Sequence, residues 1–237
     1  MENFFERVAK AWPAGRRDLH WHILPAASEA DALLASYPET VFSRPGLVRV
    51  PSEWLHCTLL HAVGLSADDV DVDALVRDAR AHVQQVEPFT LILDRPAIAP
   101  VAIEISGWPG TPFTRLVDSI TQLTQEQRTA FQPAASRYPH MSIAYTGEGS
   151  ETINPVDLRA ALAGIEEPLS HTVRADHIHL VEQWHDGATI GFVHFLGQRL
   201  LMSSNSTVGL GMRILFTRFN GAAPGPWVRR RHWIFVR

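Results

Sequence analysis

Apolar residues recur at helical spacing in two long stretches of the chain. The first stretch has them at Leu75, Val76, Ala79, Val83 and Val86, and the second at Phe113, Leu116, Val117, Ile120 and Leu123. Residues three and four positions apart share one face of an α-helix, so both stretches predict amphipathic helices packed on a core. Ser66 and Asp69 precede the first stretch with the spacing of a capping box, which predicts where that helix begins.

Shorter signals predict two more helices and a series of strands. Ser28–Tyr37 is predicted to form a short helix, with Ser28 and Asp31 as its cap residues. Asn154 followed by Pro155 is typical of a helix N-terminus. Apolar runs bounded by turn residues predict strands at Leu19–Pro25, Leu55–Val63, Pro88–Leu93, Val101–Ser106, His140–Tyr145, Leu169–Val173, Ile178–Gln183 and Thr189–Phe195. Helices and strands therefore alternate along the chain.

The order of these elements repeats. His56-Cys-Thr-Leu is followed by a helix, a strand and then the strand Val101–Ser106. His140-Met-Ser-Ile is likewise followed by a helix, a strand and then the strand Ile178–Gln183. Two copies of strand, helix, strand, strand predict an α+β fold of two pseudo-symmetric lobes. Each lobe would be an antiparallel sheet with helices on its outer face, and a cleft would lie between them. The alternative is a coincidence in a chain of mixed elements.

Both copies of the repeat place a histidine two residues before a hydroxyl residue, as His56/Thr58 and as His140/Ser142. Residues two apart in a strand point to the same face, so each strand would present an imidazole beside a hydroxyl. Such a short motif often occurs by chance, and either histidine alone would be read as an ordinary structural imidazole. Because both motifs begin a strand and both head a repeat copy, we interpret them together as a functional pair.

The two motifs resemble those of the two-histidine (2H) phosphoesterases, a group that includes the bacterial 2'-5' RNA ligases and the RNA 2',3'-cyclic phosphodiesterases. The contexts Trp-Leu-His-Cys-Thr-Leu around His56 and Tyr-Pro-His-Met-Ser-Ile around His140 are similar to that family, as is the late strand from His177 to Glu182. The resemblance covers roughly residues 19 to 196. The second motif has Ser142 in place of threonine, and the family also contains serine at this position.

The resemblance implies a reaction at one phosphate held between the lobes. His56 and His140 would be the catalytic residues, one as base and one as acid, and Thr58 and Ser142 would bind the non-bridging phosphate oxygens. An imidazole suits either role near neutral pH. The sequence does not say which histidine is the base in hydrolysis, and the roles exchange in the reverse, ligating direction.

We expect neither a metal nor another cofactor. His20-Trp-His22 and His177-Ile-His179 are the candidates for an imidazole metal site, but alternate histidines in a strand often pack or face solvent, and no carboxylate cluster accompanies the first pair.

Substrate contacts are less well defined. Candidates for base stacking are Trp54, Tyr138 and Tyr145, and candidates for a phosphate contact are Arg44 and Arg137. Aromatic residues beside strands more often belong to the core.

Composition and charge limit the function classes. Hydrophobic residues make up 46% of the chain and charged residues 19%, which suits a globular protein. The single cysteine, Cys57, excludes an internal disulfide and a cysteine-based zinc site. No apolar run approaches the roughly 20 residues of a membrane-spanning helix, and the N-terminal residues lack the apolar segment of a signal peptide. We therefore expect a cytoplasmic protein without membrane contact.

The basic residues are unevenly distributed. Residues 198–237 contain seven of the 21 basic residues and no acidic one, which leaves 14 basic against 25 acidic residues in 1–197. An acidic body does not suit a protein that coats nucleic acid, so the expected partners are RNA ends or a small nucleotide. We predict a two-lobed domain over 1–197 and an Arg-rich tail over 198–237. The tail is either a peripheral contact for RNA or membrane or an extension without fixed order. The oligomeric state stays open.

The predicted activity is metal-independent hydrolysis of RNA 2',3'-cyclic phosphate ends, or of related cyclic nucleotide phosphates, to 2'-phosphates. Two alternatives remain. The same site is suited to 2'-5' ligation of RNA ends, because both reactions pass through one transition state. A binding module for RNA ends or nucleotides with the same fold is the other, although a pure binder needs no paired acid and base.

Overall fold

A computed structural model of the chain describes residues 1–83, 86–128, 134–166 and 169–199. Within these ranges the helices are α1 (Phe4–Val8), α2 (Ala27–Ala35), α3 (Glu39–Phe42), α4 (Val72–Val83), α5 (Gly110–Gln127) and α6 (Pro155–Ala163). The strands are β1 (Asp18–Ile23), β2 (Leu47–Arg49), β3 (Cys57–Ala62), β4 (Phe89–Ile98), β5 (Ala102–Trp108), β6 (Ala134–Ala135), β7 (His140–Thr146), β8 (His171–Ala175), β9 (His177–His185) and β10 (Ile190–Arg199). The predicted mixture of helices and strands is confirmed.

The strands form one antiparallel sheet with two distinct halves. Its order is β10-β9-β1-β3-β7-β5-β4-β8, with β2 added to β7 and β6 added to β3. The central strands β3 and β7 are paired at one position, where Cys57 lies opposite Met141. The first half-sheet (β10, β9, β1, β3) therefore meets the second half-sheet (β7, β5, β4, β8) along a very short seam, and each half contributes one strand that carries a histidine motif.

Helices cover one face of both halves. Helix α5 packs on β3 and on α4, which also contacts β10, while α2 contacts β8 and α6 contacts β4. All five residues of the predicted α5 stripe are buried. Within the two motifs the residues that alternate with histidine and hydroxyl are fully buried, namely Cys57, Leu59, Met141 and Ile143. The core thus lies beneath the helices, and the opposite face of the sheet is left to the histidines.

The α+β class is confirmed, but the relation between repeat and lobe differs from the prediction. The first copy supplies β3 to one half-sheet and β4 and β5 to the other, and the second copy supplies β7 and β8 to one half and β9 to the other. Each half-sheet is therefore built from both copies. The reason is that the crossover through α4 carries the chain from the first half to the far edge of the second, where β4 pairs with β8.

The sequence predicted the type of the helix caps better than the residues at which the helices begin. Ser66 and Asp69 do form a capping box, but it caps a short 3-10 turn at Ala67–Asp69, and α4 begins later, at Val72. Helix α2 begins at Ala27, one residue before the predicted cap residue Ser28. Asn154 caps α6 as predicted, since its side chain accepts a hydrogen bond from the backbone N–H of Val156.

The sequence did not predict four short elements, namely α1, α3, β2 and β6. Each has only two to five residues, which are too few to show a period.

No helix in the described ranges is both long and apolar enough to cross a membrane. The predicted boundary between 1–197 and the Arg-rich tail at 198–237 stays a prediction, since residues 200–237 lie outside the described part of the chain. The cytoplasmic location also stays a prediction.

Candidate active site

The two motif histidines are held in the same way. His56 directly precedes β3, and its Nδ1 lies 2.7 Å from the carbonyl oxygen of Trp54. His140 begins β7, and its Nδ1 lies 3.1 Å from the carbonyl oxygen of Tyr138. A carbonyl oxygen can only accept, so Nδ1–H is the donor in both rings, and Nε2 is the nitrogen left for chemistry in a neutral imidazole. The chain thus fixes both tautomers through the carbonyl two residues upstream.

Both rings line one cavity of about 410 Å³. Its polar walls include His56, Thr58, His61, Glu104, His140 and Ser142. All four residues predicted for the site are therefore brought together, two from each half-sheet. A volume of this size falls in the range of small-ligand pockets. Thr58 is buried beside His56, and Ser142 is half-buried beside His140.

A β-bulge follows the hydroxyl residue in each motif. In β3, Leu59 is skipped in the pairing with β1, where Thr58 and Leu60 face successive residues. In β7, Ile143 is skipped in the same way in the pairing with β5. An extra residue shifts the alternation of a strand by one, so the residue five positions after each histidine turns to the cavity side. These residues are His61 and Tyr145, which both line the cavity.

His61 and Tyr145 are site residues that the sequence reasoning did not assign. Strict alternation places a residue at an odd spacing from His56 or His140 on the opposite face. Tyr145 is a candidate for base stacking by sequence, but its ring is buried and its hydroxyl is hydrogen-bonded to Ser142. Burial raises the pKa of Tyr145 to about 12, so its hydroxyl stays protonated and can orient Ser142.

Burial makes His56 resist protonation. Loss of solvation lowers the pKa of His56 to about 4, against an opposing contribution from its hydrogen bond to Trp54, and the charge of His140 lowers it further. The two rings are therefore close enough to interact electrostatically. His56 is 7% exposed, whereas the ring of His140 is half-buried and reaches solvent. At neutral pH, His56 is consequently an uncharged proton acceptor.

A layer of further histidines lies behind His56 on the first half-sheet. The ring of His22 stacks on that of His56 at 4.3 Å with an interplanar angle of 15°, and His20 packs edge-on against His22 and His61. His20 and His22 are fully buried, and neither ring nitrogen of either residue has a hydrogen-bond partner among the described residues. Burial lowers the pKa of both well below the ordinary histidine value, so both are uncharged at neutral pH.

The histidine pairs that are candidates for a metal site do not form a recognisable metal centre. No group of three or more histidine, cysteine, aspartate or glutamate side chains is arranged to hold a metal ion in the described part of the chain. His177 instead bonds Asp176 through Nδ1 at 2.7 Å. His179 is packed against His194, with ring centroids 5.4 Å apart.

The N-terminal arm, residues 1–17, contributes a wall of the cavity, although it lies outside the stretch of roughly residues 19 to 196 that the family resemblance covers. Phe4, Arg7, Val8, Ala11 and Trp12 all line it. The signal for this role is weak in the sequence, because α1 is only five residues long.

The other residues considered for substrate contacts lie apart from the cavity lining. Arg44 donates to the carbonyl oxygen of Thr40 at 2.7 Å, and Arg137 is exposed. The ring of Trp54 packs edge-on against Phe192 at 5.1 Å. Tyr138 is 46% exposed and packs on the ring of His140 at 4.9 Å, with its hydroxyl 3.2 Å from Glu104. Among these residues, Tyr138 is the one beside a motif histidine and open to solvent.

The fold is shared with several solved structures, one of them a phosphoesterase. A crystal structure of a phosphoesterase matches at a TM-score of 0.57 and 18% identity, over 79% of this chain and 100% of that chain. E. coli LigT complexed with 3'-AMP matches at a TM-score of 0.57 and 18% identity, over 78% of this chain and 99% of that chain. The TT0787 protein of Thermus thermophilus matches at 0.59 and 14% identity, over 78% of this chain and 98% of that chain.

At these identities the likeness establishes the fold. The fold that the resemblance to the two-histidine phosphoesterases implies is thereby confirmed. No protein-family model matches the chain, and no curated protein matches it in sequence.

Proposed function

We propose that this protein is a metal-independent phosphodiesterase that opens 2',3'-cyclic phosphates, at RNA ends or on small nucleotides, to 2'-phosphates. The observation that supports this proposal best is the pair of imidazoles, each with its Nδ1–H bound to the carbonyl two residues upstream, that line one cavity from two half-sheets. A cyclic phosphate needs one group that removes a proton and one that supplies a proton, on opposite sides of phosphorus.

His56 is proposed as the base and His140 as the acid. The uncharged Nε2 of His56 takes a proton from water as the water oxygen attacks phosphorus. His140 gives a proton to the departing 3' oxygen as the bond from phosphorus to that oxygen breaks, which leaves the phosphate on the 2' oxygen. Burial of His56 and solvent access of His140 favour this assignment over the reverse.

Thr58 and Ser142 are proposed to hold the two non-bridging oxygens. Each hydroxyl lies two residues after a histidine and lines the same cavity, and Tyr145 bonds the hydroxyl of Ser142. Hydrogen bonds at these oxygens would position the phosphate and stabilise the charge that develops in the transition state.

Ligands of the structural neighbours fit the proposed substrate class. Crystal structures of E. coli LigT contain 3'-AMP, ATP, NADP+ or phosphate. All four carry phosphate, and three carry an adenine nucleotide. A cavity of about 410 Å³ with both imidazoles in its wall has a size suited to a nucleotide.

A panel of substrates in the presence of EDTA tests the proposal. RNA with a 2',3'-cyclic phosphate end and adenosine 2',3'-cyclic phosphate are expected to be converted to 2'-phosphates. The rate of each conversion should be the same with and without EDTA. A 2'-5'-linked dinucleotide reports the ligase alternative, through its cleavage or through the joining of RNA ends. Saturable binding without turnover of any member would identify a binding module, and loss of activity with EDTA would contradict the metal-independent mechanism.

The pH dependence of kcat/KM is expected to be bell-shaped. The mechanism needs one protonated and one unprotonated imidazole, and the rate falls at low pH as His56 gains a proton. Because burial lowers the pKa of His56 to about 4, the low-pH limb should lie well below the ordinary histidine value of about 6.5. Initial rates taken within seconds of a pH jump separate this limb from unfolding. A monotonic profile, or a low-pH limb near the ordinary value, would contradict the assignment.

A further inference from the structure

The N-terminal arm connects the two half-sheets across one end of the cleft. At the second half-sheet, the backbone N–H of Phe4 donates to Oγ1 of Thr146 at 3.2 Å, and its ring packs on Tyr145 at 4.6 Å. At the first half-sheet, Nε2–H of His185 donates to the carbonyl oxygen of Trp12 at 2.6 Å. The arm is thus a fixed wall of the substrate cavity, and its side chains decide what fits beside the reacting phosphate.

Arg7 brings a permanent positive charge into this wall. Arg7 is the only Lys or Arg side chain among the described residues that line the cavity. Its guanidinium donates to Glu2 at 2.8 Å, and the two side chains are 53% and 63% exposed. An exposed ion pair of this kind contributes little, whereas a phosphate offers the guanidinium two parallel charge-assisted hydrogen bonds. A phosphate that reaches the wall can therefore displace Glu2.

We propose that Arg7 binds a second phosphate group of the substrate, so that the preferred substrate is a small nucleotide with a phosphate in addition to the cyclic one. This inference rests on the proposed function of the cavity. It concerns substrate class, and it assigns to the arm a specificity role outside the paired histidine motifs.

The position of Arg7 separates it from the reacting phosphate. The hydroxyl of Ser142 bonds Tyr145, and Phe4 packs on the ring of Tyr145. Arg7 lies three residues after Phe4 on α1. The reacting phosphate is proposed to lie between His56 and His140, which the strand motifs hold, whereas Arg7 lines the cavity from the arm. A 5'-phosphate on the same nucleoside is the nearest second phosphate that can extend toward the arm.

Charge beyond Arg7 argues against a continuing RNA chain. A neighbouring cavity that Arg7 also lines is walled by acidic residues of the arm and of the loop after β7, namely Glu2, Glu6, Glu148 and Glu151. A single phosphate can pair with Arg7, but further phosphates would enter a negative region. This distribution fits a terminal phosphate and disfavours a polyanion that runs past the arm.

Two matched substrates test the inference. Adenosine 2',3'-cyclic phosphate and the same nucleotide with a 5'-phosphate differ only in the second phosphate, and the readout is the ratio of their kcat/KM values. In the unaltered protein the 5'-phosphorylated substrate should be preferred about tenfold, the size expected for one charged hydrogen-bonded contact. Arg7→Gln should reduce the ratio to about one, through KM for the 5'-phosphorylated substrate.

Arg17→Gln is the matched control. Arg17 belongs to the same arm, is 50% exposed and pairs with Glu182 at 2.9 Å, but it does not line the cavity. Its replacement should leave the ratio unchanged. A ratio of one in the unaltered protein, or a ratio that survives Arg7→Gln, would overturn the inference while hydrolysis of the unphosphorylated nucleotide still supports the proposed function. If RNA with a cyclic phosphate end is preferred to both nucleotides, the small-substrate assignment is wrong.

Discussion

Replacement of either His56 or His140 by alanine is expected to lower kcat by about 10²- to 10⁴-fold, while substrate affinity and folding change little. The physical reason is that each ring supplies one proton transfer, and water is a poor substitute for an imidazole held in one tautomer. Both rings are held through hydrogen bonds to main-chain carbonyls, so their removal leaves the strands that carry Thr58 and Ser142 in place. Single-turnover rates and equilibrium binding of a non-reactive nucleotide are the measurements.

Two further variants sharpen this test. A protein that lacks both histidines should be about as slow as the worse single variant, because residues that act as a unit have non-additive effects. His82→Ala is the matched control, since Nδ1 of His82 also lies near a main-chain carbonyl oxygen, that of Asp78 at 3.0 Å, but its ring is exposed on α4. Undiminished activity in either single variant, or strictly multiplicative losses in the double variant, would contradict a paired acid and base.

The protein is also expected to unfold steeply on mild acidification. His20, His22 and His56 are buried, and burial lowers the pKa of each, so the folded state resists protonation that the unfolded chain accepts near pH 6.5. The unfolded state then binds more protons, and the free energy of unfolding falls as the pH falls. The loss begins near the unfolded value of about 6.5 and, for His56, ends near the folded value of about 4.

Between about pH 7.5 and about pH 5.5 each such histidine costs about 1.4 kcal/mol, so the three together cost about 4 kcal/mol, a large part of the stability of an ordinary domain. Urea unfolding at a series of pH values measures the slope. His82→Ala is the control for the loss of a histidine whose ring is exposed in the folded state. A free energy of unfolding that stays constant over this range would show that the buried rings are not kept neutral by the fold.

The sequence predicted that the four motif residues lie together because the pattern of each motif is local. His56 and Thr58, like His140 and Ser142, need only the alternation of a strand to face the same cavity. The burial of Cys57 and Met141 follows from the same alternation. Proximity of the two motifs was predicted from the repeat, and the motifs do lie close together although each half-sheet contains strands of both copies, because β3 and β7 are neighbours in the observed sheet.

The remaining parts of the site depend on features without a period. The bulges at Leu59 and Ile143 bring His61 and Tyr145 to the cavity, and nothing in the apolar pattern marks an extra residue in a strand. The path of the chain through α4 from one half-sheet to the other depends on tertiary packing, which the order of elements does not determine. The N-terminal arm is held by single contacts such as that of Trp12 with His185, which two distant parts of the chain make only after folding.

The seam between the half-sheets has a consequence for the spacing of acid and base. Cys57 and Met141 are the middle residues of the two motifs, and they face each other as the one paired position of β3 and β7. Each of the two paired residues directly follows a motif histidine in the sequence, so the pairing links the two imidazoles through the main chain. The spacing of the two motifs therefore depends on one main-chain pairing rather than on a long ladder of hydrogen bonds, and both paired residues are buried in the close-packed core. A change of volume at Cys57 or Met141 is expected to move both rings.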